Sequence, residues 1–423
     1  MVILFCVYFA NGREIGSVDS QPTKYGAREL LLRGSLALNH VVGATPELLS
    51  RHTIILAADG RYRSTYSPVP ALTAAAVNWP LAAAGILDLQ GEHAPGKIAK
   101  FSASLLTALA VAIAFLMVRR SLPMWPALLL ALGLGLGTGL WSTVSQTLWQ
   151  HETSILGFVI ALSALSSPRL GPARGVLIGA GVALACASRL SVIPAGVVVL
   201  LGAWACGGTR TMIAAASVVA TAAALLIVHN LNAFGHVLGP LPYLESLHVQ
   251  FHATDRSFQF GWEGYAGLLM SPSRGLLIFS PVIAVAVLGF RDAWCEGWRS
   301  AQRWCLLAAA AQFALYGAYS VWWAGHTFGP RYMLDVLPFL VPSAALGIAR
   351  LPLRSLGGVC AVLALTWSVA VSALGAYVYP AEMWNTDPAD VDRYHERLWD
   401  WRDPQIRRAL ETPPNARNFM FFK

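Results

Sequence analysis

The sequence predicts an all-α polytopic membrane protein with about eleven transmembrane helices and interfacial helices in a long first outer loop. Three observations carry that expectation. The 423 residues are 56% hydrophobic and only 12% charged, with a mean hydropathy of +0.54, far more apolar than a soluble domain of this length. Apolar stretches recur at close to the roughly 20 residues needed to cross a ~30 Å hydrocarbon core at ~1.5 Å per residue. Basic residues fall in alternate short loops between these stretches, the pattern that sets orientation in a membrane. The net charge of +8 therefore does not indicate nucleic-acid binding, and no run of five or more like charges occurs.

In chain order, residues 1–10 are apolar but too short to span, and they lack the basic start and small-residue cleavage site of a signal peptide. They are expected to be the outer half of a first helix whose beginning is missing, short or misassigned. Ten further apolar segments follow, at 98–118, 124–141, 153–167, 175–188, 191–206, 212–229, 275–290, 305–323, 333–349 and 356–378. The short pair around Arg189 can also form one broken or re-entrant unit.

Orientation follows from the loops. With residues 11–97 outside, the cytoplasmic loops hold Arg119, Arg120, Arg169, Arg174, Arg210, Arg291, Arg299, Arg303, Arg350 and Arg354 against two acids, Asp292 and Glu296. Residues 66–89 are apolar enough to span, but a crossing there would reverse every later loop. They are expected as an interfacial helix started by Pro68 and Pro70 and interrupted at Pro80. This divides the chain into a membrane domain, 1–378, with outer loops at 11–97 and 230–274, and a short polar outer tail, 379–423. The six cysteines lie in apolar segments or near cytoplasmic ends, so no structural disulfide is expected.

Charge gathers in the outer loops. Asp19, in SVDSQPTKYGARELL, sits in a turn-forming context ahead of a helical segment, 24–38, whose Leu30, Leu31, Leu36 and Leu38 can lie against the membrane. A turn there can aim one carboxylate at an acceptor hydroxyl, while Lys24 and Arg28, four apart, meet a lipid phosphate. The same residues would also serve as a cap and a solvated basic face. His151 and Glu152 in TLWQHETS face a cavity or cap the next helix. Ser271, Ser273 and Arg274 in LLMSPSRGLLIFSP open a helix in a way that favours an anion, or Arg274 snorkels. Arg331, Tyr332 and Asp335 follow the tandem Trp322 and Trp323, with Arg331 and Asp335 spaced to pair. Arg189 is a further outer-side arginine that can pair with a loop acid. No HExxH or CxxC spacing marks a metal site.

Taken together, SVDSQPTKYGARELLLRGSLAL and DGRYRSTYSPVPALTAAAVNWPLA resemble the first outer loop of bacterial multi-pass glycosyltransferases of the GT-C superfamily, which includes protein mannosyltransferases and lipid A aminoarabinose transferases. LWQHETS, LLMSPSRGLLIFSP and WWAGHTFGPRYMLDVLPF resemble signature stretches of a bacterial group within it, in the same order. The resemblance implies a GT-C-like fold in the bacterial inner membrane. It implies inverting transfer of a hexosyl or pentosyl group from a polyprenyl-phosphate sugar to an acceptor at the periplasmic face. It assigns Asp19 as the base and Glu152 as a second acid. Tyr66 and Pro68 match a loop motif that Ser67 interrupts. Asp19-Ser20 stands where the protein mannosyltransferases carry Asp-Glu, so their acceptor is not transferred and a glycan, lipid or protein stays open.

The expected site is thus Asp19 and Glu152 as catalytic groups, with Lys24, Arg28, Tyr66, His151, Arg274, Arg331 and Tyr332 binding substrate. Lys24, Arg274 and Arg331 are the cations expected to stabilise the departing phosphate. No cofactor is expected beyond the lipid-linked co-substrate, no nucleic acid is a partner, and metal dependence is open. A transporter or lipid flippase is the alternative, and it would show paired repeats with helices broken near the midplane. A noncatalytic scaffold would have no particular need of Asp19.

Overall fold

The computed structural model describes residues 1–251, 257–352 and 354–420. Its principal helices are α1 (Val2–Phe9), α2 (Gln21–Arg33), α3 (Pro68–Ala83), α4 (Ala94–Val118), α5 (Met124–Leu136), α6 (His151–Leu165), α7 (Pro172–Ser188), α8 (Ile193–Phe234), α9 (Leu241–Phe251), α10 (Trp262–Met270), α11 (Ala301–Ala318), α12 (Leu337–Ala349) and α13 (Leu356–Tyr377). Among the described residues the strands are a short antiparallel pair, β1 (Ile54–Leu56) and β2 (Tyr62–Ser64), with Ile54 opposite Ser64. The expected all-helical membrane architecture is present.

Among the described residues three helical stretches are long and apolar enough to cross a membrane: α4, Leu190–Phe234 and α13. The helices α5, α6, α7 and α12 are apolar but shorter, and local chemistry explains the difference. The segment 124–141 leaves α-geometry at Gly137 and continues as a π turn over Leu140–Val144. The segment 275–290 is not one helix. It breaks into Leu276–Phe279, a 3-10 turn Pro281–Ala284, and Val285–Leu288, because Pro281 offers no N–H to continue the ladder. The segment 333–349 likewise begins in a 3-10 turn, Arg331–Asp335.

The expected spans 191–206 and 212–229 lie within the single element α8, but Gly208 (φ 73°, ψ −178°) interrupts its helical backbone. Before that glycine, Gly196 packs on Val182 and Cys186; after it, Thr211 and Ala215 meet Gly175 and Gly179. The chain therefore runs antiparallel to α7, reverses, and returns parallel to it. A left-handed φ at the reversal is one that glycine adopts without a Cβ penalty. The contact between α6 and α7 is equally close, since a Cβ on Gly157 would come within 2.5 Å of the Gly181 carbonyl. Small residues bring membrane helices together in this way.

Two expectations for the first loop change. Pro80 does not interrupt α3, which runs on to Ala83. Leu38 does not face lipid. A left-handed Gly34 ends α2, and the chain folds back so that Leu38 is buried with Val41, Val42 and Ile54. The polar tail is packed on the same loop-rich face: Trp384 and Gln405 are fully buried, and the Phe419 N–H donates to the Asn11 carbonyl at 2.7 Å.

The reversal and the loop charges set a topology that labelling can check. In a cysteine-free background, cysteines at the exposed positions Glu47 and Arg299 should react with an impermeant thiol reagent from opposite sides of the membrane. Labelling of both from one side would overturn this arrangement.

Candidate active site

On the loop-rich face six segments meet around a cavity of about 390 Å³, lined by residues that include Asp19, Tyr66, Trp149, His151, Arg189, Arg331 and Tyr332. Asp19 reaches it from a 3-10 turn, Val18–Ser20. The Ser17 hydroxyl accepts from the Asp19 N–H at 3.2 Å, and Ser20 Oγ accepts from the Ser17 N–H at 3.2 Å. This capping box fixes the direction of the carboxylate. Tyr66 comes from the residue before the α3 N-cap, Ser67, whose hydroxyl donates across to the Ala187 carbonyl at 2.5 Å.

The two meet directly. Asp19 Oδ1 accepts from the Tyr66 hydroxyl at 2.9 Å, and Oδ2 accepts from Arg331 Nη1 at 3.0 Å. The Asp19 side chain is 39% exposed, whereas Arg331 is 11% exposed and lies over the Trp149 ring at 4.6 Å. Burial, and then the neighbouring Asp19 carboxylate, push the Tyr66 phenol well above its usual range. Tyr66 therefore stays a neutral donor.

A second charge group backs the opposite wall. The carboxylate of Asp335 is fully buried; its Oδ1 accepts from His151 Nδ1 at 2.9 Å, Oδ2 accepts from the Tyr316 hydroxyl at 2.5 Å, and Arg189 Nε, which donates to the Tyr316 hydroxyl at 3.3 Å, forms an ion pair with Oδ2 at 3.0 Å. An ionised carboxylate only accepts, so Nδ1 carries the proton. His151 Nε2, which is buried, then has no partner among the described residues. Tyr332 stacks on Tyr316 with centroids 4.7 Å apart, and the Arg189 guanidinium lies 5.5 Å over Tyr332. Among the described residues Arg189 hydrogen-bonds through Nε, to the Tyr316 hydroxyl, which leaves both terminal nitrogens for an anion. Leu244 and Leu247 of α9 add apolar lining.

Asp19, Tyr66, His151, Arg331 and Tyr332 are therefore gathered at one cavity, and the other expected residues lie elsewhere. Lys24 is paired with Glu14 Oε2 at 2.6 Å, and Glu14 Oε1 accepts from Thr147 at 2.5 Å. Arg28 donates to the Leu89 carbonyl at 2.8 Å. Glu152 is fully buried and does not line the cavity. Arg274 is fully buried too, and its guanidinium donates to the carbonyls of Trp323, Ser273 and Gly325 and to the side chains of Gln405 and Asn385. Burial pushes its pKa down to about 10. It anchors a loop and the tail instead of facing an anion. The expected pairing of Arg331 with Asp335 is replaced by Arg331 with Asp19 and Arg189 with Asp335.

Arg189, Trp149 and Tyr319 are cavity residues that the sequence reading did not select. The one usable signal was Arg189 itself, an arginine that the expected topology puts on the outer side against the positive-inside tendency. Among the described residues one group has metal-ligating types in reach of each other: His326, Asp390 and Asp392.

No protein-family model and no curated protein sequence matches the chain. Its structure is similar to that of ArnT from Cupriavidus metallidurans bound to undecaprenyl phosphate, at 16% identity and a TM-score of 0.51, covering 89% of this chain and 69% of that one. The apo state of the same protein is matched at 14% identity and a TM-score of 0.51, over 93% and 67% of the two chains. The likeness shows the fold, an all-helical membrane architecture.

The role of Arg274 can be separated from that of Arg331 by stability. Arg274→Ala leaves five buried acceptors without their donor and should destabilise the protein by about 3 kcal/mol or more, read as a large fall in thermal midpoint in detergent. An unchanged midpoint would show that this arginine does not hold the tail in place.

Proposed function

We propose that this chain is a membrane glycosyltransferase that moves a sugar from a polyprenyl-phosphate donor to an acceptor hydroxyl at the periplasmic face of the bacterial inner membrane. One observation carries the reading: a single cavity presents a carboxylate, Asp19, and two guanidinium groups, Arg189 and Arg331, beside apolar side chains from α9. A transfer of this kind needs those elements together. The ArnT fold, seen elsewhere with undecaprenyl phosphate, supports the choice of a polyprenyl phosphate.

In this reading the donor phosphate binds between Arg189 and Arg331, and the prenyl chain runs along Leu244 and Leu247. Guanidinium groups suit the task because they meet phosphate oxygens in a planar fork and remain charged when desolvated. As the phosphate draws Arg331 toward itself, Asp19 Oδ2 becomes free to accept the proton of the attacking hydroxyl. Tyr66 keeps its bond to Oδ1 and holds the carboxylate in place. The hydroxyl oxygen attacks the anomeric carbon from the face opposite the phosphate, the carbon–oxygen bond to phosphate breaks with its electron pair, and the configuration inverts. Arg189 and Arg331 stabilise the charge on the departing polyprenyl phosphate. His151 Nε2, an acceptor held in place through Nδ1 by Asp335, receives a hydroxyl of the sugar or of the acceptor.

Turnover of polyprenyl-phosphate sugars in nanodiscs tests the base directly. Asp19→Asn should lower the single-turnover rate by about 10²–10⁴-fold while undecaprenyl phosphate still binds within a few-fold of wild type; unchanged turnover removes Asp19 from that role. Arg331→Gln should instead weaken undecaprenyl phosphate binding by about tenfold or more, as expected for a lost charge-assisted hydrogen bond of at least ~1.4 kcal/mol. Equal binding by the variant would place the phosphate elsewhere.

A further inference from the structure

Outside the cavity, His326, Asp390 and Asp392 bring one imidazole nitrogen and two carboxylate oxygens together, all within 4.8 Å of one another. Both close contacts converge on the same nitrogen. His326 Nε2 lies 3.0 Å from Asp390 Oδ1 and 3.5 Å from Asp392 Oδ2. A single N–H points at one acceptor well, so a hydrogen bond accounts for one contact and leaves a second carboxylate facing the same atom. Two carboxylates turned toward one nitrogen call for a positive charge in the space between them. The two N···O separations, 3.0 and 3.5 Å, are close to the about 3.0–3.4 Å between neighbouring ligand atoms on a zinc-type ion with bonds of ~2.1 Å.

The groups around the three residues hold them in that arrangement. Trp323 Nε1 donates to Asp392 Oδ1 at 2.7 Å, which turns Oδ2 toward His326. The Asp392 N–H donates to Asp390 Oδ1 at 2.9 Å. His326 follows Ala324 and Gly325, both with left-handed φ values of 63° and 67°. A left-handed alanine is an unfavourable conformation that the surroundings must enforce. Arg274 does so from beneath, through its bonds to the Trp323 and Gly325 carbonyls at 3.1 Å each. Outer partners that orient ligating side chains in this way are typical of metal sites.

We propose that His326, Asp390 and Asp392 form a binding site for one zinc-class divalent cation. Three protein ligands, one nitrogen and two oxygens, suit Zn²⁺ and leave at least one position for water, which agrees with side chains that are 34–41% exposed. The ion ties the C-terminal tail, through Asp390 and Asp392, to the loop whose Ala324 and Gly325 line the cavity. It therefore stiffens one cavity wall from outside and takes no part in the transfer step.

The site does not depend on the glycosyltransferase reading, and its test needs no turnover. Full-length protein in detergent, stripped with chelator and then given Zn²⁺ at pH 7.5, should retain about one Zn²⁺ per chain and gain several degrees of thermal midpoint. His326→Gln and Asp392→Asn should each weaken Zn²⁺ binding by about tenfold or more and abolish the gain, while both variants remain monodisperse. Failure of wild type to retain Zn²⁺, or equal retention by His326→Gln, overturns the proposal. So does a midpoint that rises from pH 8 to pH 6 but does not respond to Zn²⁺, which would make the positive charge an imidazolium.

Discussion

A charged carboxylate removed from water must find its partners inside the protein, and in this chain that constraint falls on Asp335. Its two oxygens take hydrogen bonds from His151 and Tyr316 and an ion pair from Arg189, which come from the start of α6, the end of α11 and the turn between α7 and α8. Removing any one donor leaves a buried charge short of a bond, an expensive state in a low-dielectric interior. The carboxylate thereby fixes three helix ends relative to each other. Arg189 is aimed into the cavity as a result, and His151 is held in the tautomer that leaves Nε2 bare.

The second ion pair works differently. Asp19 and Arg331 lie across the open cavity, and Asp19 is more than one-third exposed. Such a pair is weaker than the buried one and is easily exchanged for a substrate anion. The site thus combines a rigid charge cluster behind the wall with an exchangeable one on its surface. The first sets positions, and the second is where phosphate and acceptor can enter.

The sequence made the membrane class and the spans legible because apolar length and loop charge are local properties. Breaks at Pro281 and Gly208 change how those segments are built. Asp19, Tyr66 and Arg331 were legible as candidates, but their meeting was not: Asp19 and Arg331 are 312 positions apart, and no spacing rule reaches that far. The cations show the same limit. Lys24, Arg274 and Arg331 have the same charge in the sequence, yet Glu14 takes the first and five neutral acceptors enclose the second. Arg331 was read four residues from Asp335, a helical spacing; a 3-10 turn at that place carried it to Asp19 instead. His326 and the two aspartates share no local motif at all, since the tail brings its ligands from 64 and 66 positions away.

The central claim is that Arg189 and Arg331 receive a polyprenyl phosphate in the cavity beside Asp19. The most direct measurement is photocrosslinking with an undecaprenyl phosphate analogue that carries its reactive group next to the phosphate, followed by peptide mapping. The account predicts adducts on the segments that contain Trp149, Arg189 or Tyr332, competed away by undecaprenyl phosphate. Adducts confined to the opposite face, around Arg119, Arg120 and Arg169, would contradict it.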